Sequence, residues 1–328
     1  MKRLGLALGV LALAAPVWAA KTPRIPPHVA DGAPVTQTIT GTPLTIVIGA
    51  DTSMQVYNAN VPGAGQFFPP DCSPGQTADY GVFAQLAIVG TPPQGGGIVY
   101  GPDFDNHPCG SASNTYTPWT EVSISPVTGT GTSGDPFTVV VVVDAGLTGL
   151  RLTATYTYVN GSPQVTQALL FSNVGNATLT FDAFSGADLY LADNDDGFPT
   201  LQGTSAGGRA ASSACQLLQY TILILGTTPA NFWVGRFYSD VWDEISAGQL
   251  SNTIESTLCE DNGAAIQWAG VNLPVAGSTT IDTGVTFTGQ AIPQATIVPT
   301  LSTIGLVSLV VLLALVGYVL IGRGSPGA

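Results

Sequence analysis

The feature that most constrains the fold is a β-branched run followed by an alternating segment and a turn dipeptide. Residues 137–144 are Phe-Thr-Val-Val-Val-Val-Val-Asp, and β-branched side chains crowd the preceding turn of a helix, so this run predicts a strand. Residues 150–159 alternate apolar and polar side chains, as a half-buried strand does. Asn160-Gly161 follows, a dipeptide favoured in two-residue hairpin turns. Together they predict an antiparallel hairpin ladder.

Short apolar or alternating segments bounded by Gly, Pro and Asn predict strands elsewhere in the chain. They lie at 44–48, 83–89, 164–173, 177–184, 217–225, 279–281 and 285–287, and the best helix candidate is 232–250. Strands that pair in sequence order form antiparallel sheets, and several of them form a sandwich. We therefore predict an all-β fold, an antiparallel β-sandwich over 35–290. A split into two subdomains near 125–135 is the alternative.

The N-terminal residues have the parts of a secretion signal. Lys2 and Arg3 precede an apolar stretch, and Val17 and Ala19 place small residues before a cleavage point. We predict a signal peptide over 1–19 and a proline-rich leader over 20–34. The protein is then exported.

The C-terminal end predicts a membrane helix. Residues 304–321 carry no charge and would form about 27 Å of helix, close to the ~30 Å core of a bilayer. Arg323 follows, and a positive residue there favours a cytoplasmic C-terminus. The sequence predicts a tail over 291–328, with a transmembrane helix at about 302–321 that makes the membrane a partner.

The start of this tail resembles the IPTL-type C-terminal sorting domain (IPTL-CTERM) of exported Gram-negative bacterial proteins. That family has Ile-Pro-Thr-Leu-Ser-x-Trp-Gly, a membrane helix and an arginine cluster. The matching residues are Val298 (in place of Ile), Pro299, Thr300, Leu301, Ser302 and Gly305, with Arg323 alone at the basic end and Ile304 replacing Trp. The resemblance implies recognition by a membrane-embedded sorting protease. It also implies that the ectodomain reaches the cell envelope or outer surface, or is released.

The charge balance limits the possible partners. Between the two ends, five basic residues stand against twenty-one acidic ones, a net charge near −16. This surface repels phosphate backbones, so we expect no nucleic-acid partner. It suits an outer-surface domain or one that takes up divalent cations.

Four cysteines in an exported chain indicate two disulfides. Three pairings are possible, and we favour Cys72–Cys109 and Cys215–Cys259 because each closes a local loop of roughly forty residues. Zinc is disfavoured because no close Cys-x-x-Cys pair is present.

The densest acidic group suggests a weak Ca²⁺ site. It consists of Asp188, Asp193, Asp195 and Asp196, and carboxylates are ligands that Ca²⁺ prefers, although the EF-hand spacing is not met. A solvated turn is the alternative. We expect no other cofactor.

No catalytic residues are predicted. Ser205 lies in a Gly-x-Ser-x-Gly pattern, but a hydrolase of that type needs a histidine later in the chain, and both His28 and His107 come earlier. We therefore predict that the chain is not an enzyme. The predicted function is a non-enzymatic structural protein, cell-surface or secreted, delivered by its tail. The alternative is a surface module that binds an extracellular glycan or protein with the help of Ca²⁺.

Overall fold

The structure is a computed structural model that describes residues 34–61, 65–87, 96–109 and 116–289. The prediction of a mostly β chain is confirmed. The elements are β1 (Thr36–Thr40), β2 (Leu44–Gly49), β3 (Met54–Asn58), β4 (Tyr80–Ala87), β5 (Gly97–Gly101), β6 (Thr117–Pro118), β7 (Thr120–Ile124), β8 (Phe137–Asp144), β9 (Leu150–Tyr158), β10 (Gln164–Asn173), β11 (Leu179–Asp188), β12 (Asp196–Gln202), β13 (Ser205–Ala211), β14 (Leu217–Ile224), β15 (Phe232–Phe237), α1 (Tyr238–Ala247), β16 (Glu260–Leu273) and β17 (Ser278–Thr288).

The strands form a small and a large sheet. The small sheet has the order β1-β2-β3, and the large one has β6-β5-β4-β11-β16-β12-β13-β14-β17-β10-β9-β8-β7, with β15 also paired to β16. The two edge strands of this path, β6 and β7, are separated in the chain only by Trp119. The large sheet is therefore nearly closed on itself.

The hairpin expected from the valine run is present. β8 and β9 pair antiparallel from Phe137↔Tyr158 to Asp144↔Arg151. Val139, Val141 and Val143 are buried and the residues between them are half-buried, because successive side chains in a strand point to opposite faces. The hairpin thus turns one face to the core.

The small sheet packs inside the curve of the large one. The Leu44 N–H donates to Tyr158 Oη at 3.1 Å. Tyr156 Oη donates to the carbonyl of Thr52 at 3.1 Å. Ile46 and Ile48 of β2 belong to the same buried apolar cluster as the inward residues of β8 and β9. This contact buries the main core.

The helix begins later than the sequence indicated. Phe232–Phe237 forms β15, which pairs with β16 from Phe232↔Gln267 to Phe237↔Asn262. Only Tyr238–Ala247 is helical, and Gly248 ends α1 in the left-handed conformation (φ 75°). The aromatic spacing at 232–237 that favoured a helix therefore belongs to a strand, because pairing with β16 overrides the local pattern.

Both predicted cysteine pairs are bonded in the structure, Cys72 to Cys109 and Cys215 to Cys259. No helix in the described part of the chain has the length and apolar character needed to cross a bilayer. The predicted signal peptide and leader, the membrane helix at about 302–321 and the sorting residues from Val298 to Arg323 lie outside the described residues.

Candidate metal centre

Three carboxylates converge where β11, β12 and β16 meet. Asp188, Asp195 and Asp261 each offer an oxygen, and these oxygens lie within 4.8 Å of one another. Asp188 is the last residue of β11, Asp195 directly precedes β12, and Asp261 is the second residue of β16. Strand pairing therefore joins residues far apart in the sequence.

The pairing of β16 explains this convergence. β16 pairs with β11 through Asp188↔Gly263 and with β12 through Asp196↔Asp261. The connection from β11 to β12 is then short, and backbone bonds hold it in place. The Leu189 N–H donates to Asn262 O at 3.0 Å, and the Leu191 N–H donates to Asn194 O at 3.0 Å.

Two of the three carboxylates are buried and Asp195 is half-buried, which separates the group from an ordinary acidic surface turn. Asp188 is 0% exposed and Asp261 is 7% exposed. Like charges held this close in a poorly hydrated site repel one another, and a bound cation offsets that repulsion. Ca²⁺ takes six to eight oxygen ligands, so three carboxylates can hold it and leave positions for other oxygens.

A buried amide follows Asp261 in β16. Asn262 is 4% exposed, and its Oδ1 accepts no hydrogen bond from the described residues. Its side chain packs between Gly197 and Gly208, where a Cβ on either glycine would collide with it. Successive side chains of a strand point to opposite faces, so this amide lies across the sheet from the Asp261 carboxylate.

An aromatic pair borders the centre. The rings of Phe68 and Tyr190 are 6.5 Å apart, and the Phe68 N–H donates to Asp188 O at 3.1 Å. Tyr190 Oη donates to Asp193 Oδ1 at 3.2 Å. Burial, followed by the charges of Asp193 and Asp195, raises the pKa of Tyr190 to about 12. The hydroxyl therefore stays protonated and remains a donor.

The structure brings together two of the four aspartates proposed from the sequence. Asp188 and Asp195 belong to the three-carboxylate group, whereas Asp193 and Asp196 do not. Asp193 instead accepts the hydrogen bond from Tyr190. Sequence reasoning missed Asp261 because it is separated from Asp188 by more than seventy residues, and only the pairing of β16 brings it near.

The neighbouring carboxylate Glu260 lies in an acidic environment. Burial, followed by the charge of Glu255, raises its pKa to about 7. Arg236 partly opposes this shift, and it forms ion pairs with Glu255 at 3.0 Å and Asp240 at 3.1 Å. Negative charge is thus concentrated around the start of β16.

A second buried ionic group lies in another part of the fold. His107 Nε2 and Asp51 Oδ2 are 2.5 Å apart, and both residues are buried. Burial opposes both charges, but their mutual attraction and hydrogen bonds outweigh it, so the pKa of Asp51 is lowered and that of His107 is raised. Ser53 Oγ donates to Asp51 Oδ1 at 2.5 Å.

This group does not have the order of a serine hydrolase. There the histidine lies between the serine and the acid, whereas here Asp51 lies between Ser53 and His107. Ser205, from the Gly-x-Ser-x-Gly pattern, begins β13, and its Oγ accepts from the Gly226 N–H at 3.0 Å. Local hydrogen bonds thus account for the positions of both serine hydroxyls, those of Ser53 and Ser205.

Comparisons with known proteins add information on the fold. No family model matches the chain, and no curated protein matches it. Among solved structures, a bacterial glucoamylase complexed with acarbose matches with a TM-score of 0.50 and 9% identity over 84% of this chain. The chain spans 35% of the glucoamylase. This likeness shows a shared fold.

Two further structures match less closely. A putative aldose 1-epimerase from Escherichia coli K12 has a TM-score of 0.44 and 12% identity, over 77% of this chain and 98% of the epimerase. A putative kojibiose phosphorylase from human microbiome has a TM-score of 0.37 and 9% identity, over 89% of this chain and 37% of the phosphorylase.

The comparisons overturn the prediction that the chain is not an enzyme. The finding that overturns it is the glucoamylase, a carbohydrate-active enzyme whose fold this chain shares. The prediction relied on the lack of a familiar catalytic pattern in the sequence. The lack of such a pattern carries no information about residues that are distant in the sequence and meet only through strand pairing. Asp188 and Asp261 are such residues.

Proposed function

We propose that this chain is an exported carbohydrate-active domain that binds sugar with the help of a Ca²⁺ ion held by Asp188, Asp195 and Asp261. The observation that carries the proposal is the convergence of these three carboxylates, two buried and one half-buried, with ligand oxygens within 4.8 Å. The fold shared with a glucoamylase supports carbohydrate as the ligand class.

The coordination chemistry connects the ion to the sugar. Bound through one oxygen each, the three carboxylates supply three of the six to eight oxygens that Ca²⁺ takes. Neighbouring hydroxyls of a sugar ring are oxygen donors that can occupy the open positions. Tyr190, half-buried beside the centre, offers a ring face of the kind that stacks on sugars. Its hydroxyl donates to Asp193, and its oxygen can accept a hydrogen bond from a sugar hydroxyl.

The termini support export. The predicted signal over 1–19 and the sorting tail over 291–328 would deliver the domain to the envelope or the outer surface, with the tail in the inner membrane before processing. The two disulfides suit an oxidising compartment. The contact between β2 and the large sheet supports an arrangement of two packed sheets, antiparallel except for the pair of β5 and β6.

The test is a glycan array that includes α-glucans, together with titration of acarbose, in Ca²⁺ and then in EDTA. We expect binding in Ca²⁺ and its loss in EDTA. Asp261→Asn should lose binding as well, because it removes one anionic ligand and changes the size of the side chain little.

The control is Asp135→Asn, which removes one negative charge at an exposed turn between strands. This variant should bind sugar as the wild type does. Arrays without signal in both buffers, or binding that EDTA leaves unchanged, would contradict the proposal.

A further inference from the structure

Three connections between strands, one of them the β8–β9 hairpin turn, lie at one end of the large sheet, and each exposes an aliphatic side chain. Leu147 lies in the β8–β9 turn and is 106% exposed, Val174 lies between β10 and β11 at 57%, and Val275 lies between β16 and β17 at 51%. We call residues 145–149, 173–178 and 274–278 the apolar tip.

Hydrogen bonds fasten the three turns to one another. The Val174 N–H donates to Gly149 O at 2.8 Å, and the Asn173 N–H donates to Gly277 O at 2.9 Å. Asn173 Nδ2 also donates to Leu273 O and Pro274 O, both at 3.1 Å. These hydrogen bonds hold the three exposed side chains at the same end of the sheet.

The apolar tip differs in charge from the rest of the domain. Its three segments contain no Asp, Glu, Lys or Arg, whereas the region between the two ends of the chain has a net charge near −16. The ion pair at the base of the first turn, Arg151 with Asp144 at 2.8 Å, is neutral as a unit. This end can approach an apolar surface without carrying a carboxylate into it.

The polar groups of the turns are largely satisfied within the tip. The Thr148 hydroxyl donates to Ala145 O at 2.7 Å, the Gly277 N–H donates to Pro274 O at 2.8 Å, and the Gly175 N–H donates to Asn173 Oδ1 at 3.0 Å. Backbone groups that enter an apolar medium without partners cost several kcal/mol each, and these bonds reduce that cost.

We propose that the apolar tip docks into the interfacial layer of a phospholipid bilayer, inserting Leu147, Val174 and Val275. A stable protein interface buries roughly 800 Å² on each partner, and three aliphatic side chains on protruding turns offer much less. Burying a few apolar side chains in the bilayer interface gives weak and reversible attachment, and the proposed docking is of this kind. The size and protruding form of the tip therefore favour lipid over a second protein.

The docking does not depend on the proposed metal centre. Asp261 is the second residue of β16, and the apolar tip begins after Leu273, the last residue of this strand. The fourteen residues of β16 span roughly 45 Å. β17 then runs away from the tip and ends at Thr288, beside Pro163. The described chain thus leaves the sheet at the end opposite the tip.

The test places a tryptophan reporter at the tip of the full chain. Leu147→Trp is mixed with zwitterionic phosphatidylcholine vesicles whose acyl chains carry bromine, which quenches tryptophan on contact. We expect vesicle-dependent quenching of the Trp at position 147. Adding Val174→Asp and Val275→Asp should abolish it, because charge cannot enter the acyl layer at low cost.

The control is Leu258→Trp, at an aliphatic residue that is 49% exposed, close to the 51% of Val275, beyond the other end of β16. It should be quenched far less. The proposal is overturned by unquenched emission from position 147, by equal quenching at both positions, or by quenching that survives the two aspartates. A change in the emission of the tip reporter that follows protein concentration and not vesicles would show a second copy at the tip, and would overturn it too.

Discussion

Replacing His107 with leucine is expected to lower the free energy of unfolding by about 3–5 kcal/mol, the usual cost of removing one partner of a buried ion pair. His107 is 0% exposed and lies 2.5 Å from Asp51, which is itself 1% exposed. After the substitution, Asp51 keeps bonds from Ser53 Oγ at 2.5 Å, from Ser53 N at 3.1 Å and from Asp103 N at 3.2 Å. These remaining donors place the expected loss near 3 kcal/mol.

The pH dependence gives the prediction a second readout. The raised pKa of His107 contributes stability below its unfolded value of about 6.5, and this is lost as the pH rises through the folded value. The lowered pKa of Asp51 contributes stability above about 3.9, and this is lost as the pH falls through the folded value. The difference between wild type and His107→Leu should therefore be largest between the two unfolded pKa values, from about 3.9 to about 6.5.

The assay is urea unfolding, followed by intrinsic fluorescence at a series of pH values from acid to mildly alkaline. His107→Gln is the matched variant, because its amide can still donate to Asp51 but carries no charge. It should lose less stability than His107→Leu and show a flatter pH profile. A loss below about 1 kcal/mol for leucine, or a difference that does not change with pH, would refute the reasoning.

Three further variants test the packing of the fold. Asn173→Ala should lower the unfolding free energy by about 2–3 kcal/mol in urea, because buried carbonyls lose their donor. Replacing Cys215 and Cys259 with serine should lower it by about 4 kcal/mol, because the bond closes a separation of 44 residues. Gly207→Ala should sharply lower the thermal midpoint, because its Cβ would lie 1.9 Å from a β14 carbonyl oxygen. Gly134→Ala, with nothing within 4 Å, should not.

The local elements of the fold could be predicted because their patterns lie within single segments. The run that became β8 has β-branched side chains at nearly every position, and β9 alternates without interruption. The order of the strands could not be predicted in this way. β11 lies between β4 and β16, and such neighbours are chosen by tertiary packing between segments distant in the chain.

The candidate site was predictable to a similar degree. Asp188 and Asp195 stand in a dense acidic stretch that the sequence shows directly. Asp261 follows Glu260 in a segment without a recognisable metal-binding pattern. Only its register opposite Asp196 brings it to the site. The start of the helix could not be predicted for the same reason. Residues 232–237 have helix-like aromatic spacing, but they form a strand because they pair with the distant β16.

The most direct test of the central claim is calorimetric titration of the full chain with Ca²⁺. We expect one Ca²⁺ per chain, with Mg²⁺ much weaker because it demands a smaller octahedral site and gives up its water reluctantly. Asp188→Asn and Asp261→Asn should each abolish the heat of binding, and Asp135→Asn should leave it unchanged. Absence of Ca²⁺ binding by the wild type, or binding that persists in both ligand variants, would contradict the account.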